Sequence, residues 1–386
     1  MVQSNQKLDP RLVAAINRFG FRLLLELAGD APAENLLISP ASLAAALSMT
    51  LDGAAGETAQ AMAKVLSLEG LSLDEINRAH AALWAALASA DPQVTFEAAN
   101  SLWARMGILF LPDFMGRNRD FYGAEVTNLD FDDPQAPDII NAWVNSQTHG
   151  RITDIVEPPI DPLTILFLIN ALYFKGQWRS QFDVAATQDG LFHLLGGRQK
   201  RCPLMTQAGE YPYMEGPGFR AISLPYGAGR FSLYVFLPDE ELGLAGFLKS
   251  LMRNGLRAWN EWMDQFWEQD GAITLPRFKV SYTKGLNDAL KDLGMGIAFD
   301  ADRADFSAMC PIPPLPTVHI ADVRHKTFME VNEEGTVAAA VTKVEMRMRG
   351  LPPPSFRMVV DRPFFCAIRD NETGVIVFAG VVVEPE

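Results

Sequence analysis

The chain has 386 residues, 48% of them hydrophobic, enough to bury a large core, and it carries no low-complexity stretch or charge block of the kind that keeps a segment disordered. A formal charge of −14 removes the electrostatic basis for a general affinity for nucleic acid or an anionic membrane surface, so no nucleic acid and no membrane is expected as a partner. No Gly/Ser or Pro linker lies midway and no solenoid-like repeat is present, so residues 1–386 are expected to form one domain.

The first half reads as mainly helical. Asp9 and Pro10 look like a cap and first turn, followed by Leu12, Ile16, Phe19, Leu23 and Leu27 at helical spacing. Ser39-Pro40 opens a second helix, with Leu43 and Leu47 on one face before Gly53. Further helices are expected over Glu57–Leu66, Leu73–Ala88 and Pro137–Thr148. Strand signals then take over in "VTFEAANSLWA", "LTILFLINALYF", "FSLYVFLP" and "GAITLPRFKV", which are rich in β-branched and aromatic residues. The longest apolar run, Leu163 to Phe174, is broken by Asn170 and falls short of the roughly 20 residues that span a bilayer, so it reads as a buried strand. The C-terminal "PFFCAIRDNETGVIVFAGVVV" reads as a hairpin turning at Asn371–Gly374. Helices first and scattered strands later point to the α+β class.

Enzyme signatures are missing: the chain has no G-x-S-x-G, H-E-x-x-H, P-loop or C-x-x-C, so it is not expected to be an enzyme. His80, His149, His193, His319 and His325 are dispersed and read as structural, and no metal or cofactor is expected. Cys202, Cys310 and Cys366 are odd in number and far apart, the pattern of buried free thiols. The N-terminus lacks an apolar h-region, which leaves a cytoplasmic protein and a mature secreted one as the two readings.

One stretch fits neither helix nor ordinary loop: "EEGTVAAAVTKVEMRMRGLPPP", Glu333 to Pro354. As a strand it places Thr336, Ala338, Ala340, Thr342 and Val344 on one face, all small or β-branched, a face able to slide over a packed core. About twenty irregular residues inside a compact domain are rare unless functional. An arginine in such a loop is also a natural target for a trypsin-like protease.

These residues resemble the serpin family, and the resemblance runs through nearly the whole chain. "EVNEEGTVAAAVT" is similar to the family's mobile hinge, with "HKTFMEV" before it; "NLLISPASLAAALSMTLDGAAGETAQ", "INAWVNSQTHGRI", "LINALYFKGQW", "LPRFKVSYTKGLNDALKDLGM" and "DRPFFCAI" to "VFAGVVVEP" follow the family's order. The resemblance implies a serpin fold of three β-sheets with roughly eight or nine helices and a reactive-centre loop over about residues 333–356 that a target protease attacks as substrate.

The resemblance also implies roles. Glu333, Glu334, Gly335, Thr336, Val337, Ala338, Ala339, Ala340, Val341 and Thr342 form the hinge, and the family's usual spacing from Glu333 sets the reactive bond at Arg349–Gly350, with Arg347 as the competing site. Arginine before the bond implies a trypsin-like serine protease, held as a covalent complex by a monomeric inhibitor. Val337 and Val341 depart from the family's usual residues, and Gly350 from its usual serine. Ser39, Ser42, Asn170 and His325 match the shutter cluster beneath the central sheet; Trp178 and the pair Arg277–Glu333 match the breach at its top. The alternative, a non-inhibitory serpin acting as chaperone or structural protein, goes with bulky, charged or proline residues in the hinge, and Thr336–Thr342 has none.

Overall fold

The computed structural model describes residues 8–29, 33–310, 318–336 and 354–385. The helices are α1 (Pro10–Ala28), α2 (Pro40–Leu51), α3 (Gly56–Val65), α4 (Leu73–Ala88), α5 (Pro112–Tyr122), α6 (Ala136–Gln147), α7 (Gly243–Met263) and α8 (Asn287–Leu290). The strands are β1 (Leu36–Ile38), β2 (Val94–Arg105), β3 (Glu125–Leu129), β4 (Leu166–Gln177), β5 (Gln188–His193), β6 (Gln199–Gly216), β7 (Phe219–Pro225), β8 (Phe231–Pro238), β9 (Trp267–Pro276), β10 (Phe278–Gly285), β11 (Asp322–Val331), β12 (Gly335–Thr336), β13 (Phe356–Val359), β14 (Phe364–Asp370) and β15 (Ile376–Val382).

Local chemistry starts the helices where the sequence marks them. The Asp9 carboxylate accepts from the Arg11 N–H at the head of α1, and Ser72 and Glu75 close a reciprocal capping box on α4. α2 has no polar face, and all twelve of its residues are buried, so its place is inside the molecule. Three helices, α5, α7 and the four-residue α8, are not among those expected. α7 bends at Gly255, which interrupts its apolar stripe, and α5 buries only Phe114 and Asn118.

Among the described residues the strands pair into a nine-stranded set, β1-β15-β14-β8-β7-β6-β9-β13 with β5 also on β6, and a six-stranded sheet, β10-β11-β12-β4-β2-β3. Two of the three expected sheets are joined in the first set by the 18-residue β6, which pairs with β9 along Leu204–Tyr213 and with β7 along Tyr213–Gly216. The expected C-terminal hairpin is present as β14 and β15. The Asn371 amide at its turn donates inward to the Gly229 carbonyl and the Ser232 hydroxyl. Cys202, Cys310 and Cys366 are buried free thiols.

The six-stranded sheet separates two apolar clusters. Phe167, Ile169 and Ala171 of β4 pack with Ile140 and Val144 of α6 on one face, whereas Leu168, Leu172 and Phe174 face the main core. This period-two alternation puts Asn170 on the main-core side, beneath which α2 lies.

Candidate functional site

The seam between β4 and β11 is the unusual feature of this sheet. The two strands pair directly and in parallel over six rows, from Phe167–Asp322 to Leu172–Thr327. At the upper end β12 stands between them: Thr336 is level with Gly176 on one side and Val331 on the other. Gly335 has φ 149°, and an added Cβ would land on the Gly176 carbonyl oxygen, so glycine is required there.

Several contacts hold this hinge. The N–H groups of Trp178 and Phe182 donate to the carbonyls of Glu334 and Glu333, both at 2.9 Å. The Trp178 indole N–H donates to the Asn332 carbonyl at 2.8 Å, and its ring stacks on Tyr226 with centroids 4.4 Å apart. The Tyr226 and Thr336 hydroxyls share a buried hydrogen bond of 2.7 Å. The Glu333 carboxylate lies against Arg277, whose Nε is 2.7 Å from both oxygens, and accepts from the Thr187 hydroxyl at 2.5 Å. Burial pushes the Glu333 carboxyl up, but the hydrogen bonds from Arg277 and Thr187 outweigh it and hold it below its usual range.

Halfway down the closed rows a buried polar cluster spans the seam. The Ser39 N–H donates to His325 Nε2 at 3.1 Å, so Nε2 is the unprotonated nitrogen and Nδ1 carries the hydrogen. Nδ1 donates to Asn170 Oδ1 at 3.0 Å, directly across from β11 to β4. The Asn170 amide in turn donates to Asn100 Oδ1 at 2.7 Å and to the Ser42 hydroxyl. Ser39 also caps α2, its hydroxyl accepting from the Ser42 N–H. Burial lowers the His325 imidazole to about 3, so it is neutral across the physiological range.

Sequence reading thus named four residues that meet at the seam, Ser39, Ser42, Asn170 and His325, and three that meet at its head, Trp178, Arg277 and Glu333. It missed Asn100, Thr187 and Tyr226, which join them from separate elements and carry no local signal. Val337, Ala338, Ala339, Ala340, Val341, Thr342, Arg347, Arg349 and Gly350 lie outside the described residues.

A family model described as "Serpin (serine protease inhibitor)" matches residues 14–385. The chain belongs to the serpin family. Leukocyte elastase inhibitor of Bos taurus is 36% identical, over 97% of this chain and 100% of that protein. Tengpin, a thermophilic serpin in its native state, superimposes with a TM-score of 0.90 at 30% identity, covering 98% of this serpin and 96% of tengpin. Thyroxine-binding globulin in complex with thyroxine superimposes with a TM-score of 0.85 at 25% identity, covering 97% and 99% of the two chains.

Proposed function

We propose that this serpin is a suicide inhibitor of trypsin-like serine proteases that cut after arginine, with Arg349–Gly350 as the reactive bond. The protease serine oxygen attacks the Arg349 carbonyl, the bond to Gly350 breaks, and the freed Gly350 amine leaves with the proton, giving an ester between Arg349 and the protease. The strand that begins at β12 then extends down the seam between β4 and β11, carrying the tethered protease with it before water can complete hydrolysis.

The observation that carries this reading is β12 itself, already two residues deep between the strands that must part. One residue per row down the seam from Thr336 makes Arg349 level with Leu163, which lies just outside β4. About thirteen residues at roughly 3.3 Å each give a travel of about 43 Å. Roughly a dozen new ladder hydrogen bonds at about 1 kcal/mol net supply on the order of 10 kcal/mol, comparable with the roughly 5–15 kcal/mol stability of a typical domain. That is enough to disorder part of a protease.

The bovine relative is named for leukocyte elastase; arginine at position 349 supports a different class of target here. Small hinge residues support inhibition over a carrier role such as the one in thyroxine-binding globulin's name. The test is incubation with trypsin followed by a denaturing gel. A covalent complex of the two chains is expected, and quantitative cleavage without complex would refute the mechanism.

A further inference from the structure

β9 opens on a tryptophan that the core does not take up. Trp267 is 64% exposed, whereas Trp259 and Trp262 at the end of α7 are buried against Phe236. It ends an aromatic row. Phe356, the first residue of β13, stacks on Tyr213 with centroids 3.8 Å apart, and its ring lies where a Cβ on Gly271 would stand. Tyr213 is the row partner of Trp267, so the two rings share a face; Tyr213 is buried and Trp267 is not. Two rows of β6 further on, Glu215 accepts from the Tyr213 hydroxyl at 2.8 Å, and opposite it Arg220 donates to the Arg357 carbonyl at 3.2 Å. An exposed tryptophan on a fixed aromatic base, with an arginine near it, has the composition of a binding hot spot.

Its place in the fold names the partner. The Ser355 N–H donates to the Asp270 carbonyl at 2.9 Å, which ties the chain leaving the proposed reactive bond to β9 only three residues from Trp267. β13 and β9 are parallel, so from Asp270 back to Trp267 the strand runs towards the side from which that chain arrives. Arg349 is six residues before Ser355, and six residues reach at most about 22 Å. A protease domain of about 200 residues has a radius of gyration near 16 Å and extends about 20 Å to either side of its centre. An enzyme seated on Arg349–Gly350 is therefore held within reach of this corner. We propose that Trp267 anchors a second contact with the target protease, made on encounter and lost when insertion carries the protease away. Such a contact discriminates among enzymes that share a preference for arginine. The inference rests on the inhibitory reading above.

Trypsin whose catalytic serine is replaced by alanine tests the encounter alone, with the full chain as its ligand. Trp267→Ala should raise Kd about tenfold, Trp267→Phe should restore most of the loss, and the melting temperature of the free protein should stay unaltered in both. With active trypsin the ratio of cleaved protein to covalent complex should be the same for wild type and Trp267→Ala, because the contact is gone before the outcome is decided. Equal Kd for wild type and Trp267→Ala overturns the contact and leaves inhibition standing. A weakened Kd together with cleavage and no covalent complex, in the wild type as well, keeps the contact and overturns the inhibitory reading.

Discussion

A double-mutant cycle across the seam tests the parting of β4 and β11 more directly than any single substitution. His325 and Asn170 are joined by one buried hydrogen bond across paired rows, with strands about 4.8 Å apart. A strand inserted between them doubles the spacing to about 9.6 Å, and the bond cannot survive. His325→Ala, Asn170→Ala and the pair should therefore show a coupling of about 1–2 kcal/mol in the intact protein and about zero in the form cleaved at Arg349–Gly350. Each single variant also strands buried partners: the Ser39 N–H in one case, Asn100 and Ser42 in the other. At about 1–3 kcal/mol per orphaned group, a loss of about 4 kcal/mol is expected for each. Unfolding entropy of roughly 2.1 cal/mol/K per residue over 386 residues is about 0.8 kcal/mol/K. The single variants should then melt about 5 °C lower, within easy reach of scanning calorimetry. Equal coupling in intact and cleaved protein would show that the seam never opens, and would refute the reasoning.

Three further outcomes follow from named contacts. Thr336→Arg drives a charge into a fully buried position beside Tyr226, so the ratio of cleaved protein to covalent complex with trypsin should rise sharply; an unchanged ratio counts against insertion at this register. Arg349→Glu should abolish trypsin inhibition and leave the melting temperature of the intact protein unaltered, while persistent inhibition would move the reactive bond to Arg347. Burial raises the Asp52 carboxyl from 3.8 to about 6, against the hydrogen bond from Asn77 and the charge of Arg117 3.6 Å away. Its folded value exceeds its unfolded one, so stability is lost as pH rises from about 4 through 6. The penalty of about two pH units corresponds to about 3 kcal/mol. Asp52→Asn should melt a few degrees higher than wild type above pH 6 and lose that advantage near pH 4; a pH-independent gain would show that packing, not charge, is responsible.

The legible parts of this protein are those whose meaning is local. Ser39-Pro40 caps a helix wherever it occurs, and Ser72 with Glu75 three residues on closes a box without help from the rest of the chain. A small-residue face is visible in "GTVAAAVT" because alternation is a property of four or five neighbours. What escaped is set by topology. Tyr226 belongs to a strand-turn segment and becomes a hinge partner only because Gly176 near the end of β4, and Trp178 just past that strand, lie beside it. Leu163 shows the same limit from the opposite direction. As part of the apolar run to Phe174 it reads as buried strand, yet the Asp161 carboxylate accepts from its N–H in a tight turn, β4 begins only at Leu166, and Leu163 is 77% exposed. Apolarity there serves no core. It marks the foot of the seam, level with the residue that carries the protease in the proposed mechanism, so the misread residue and the functional end of the strand coincide.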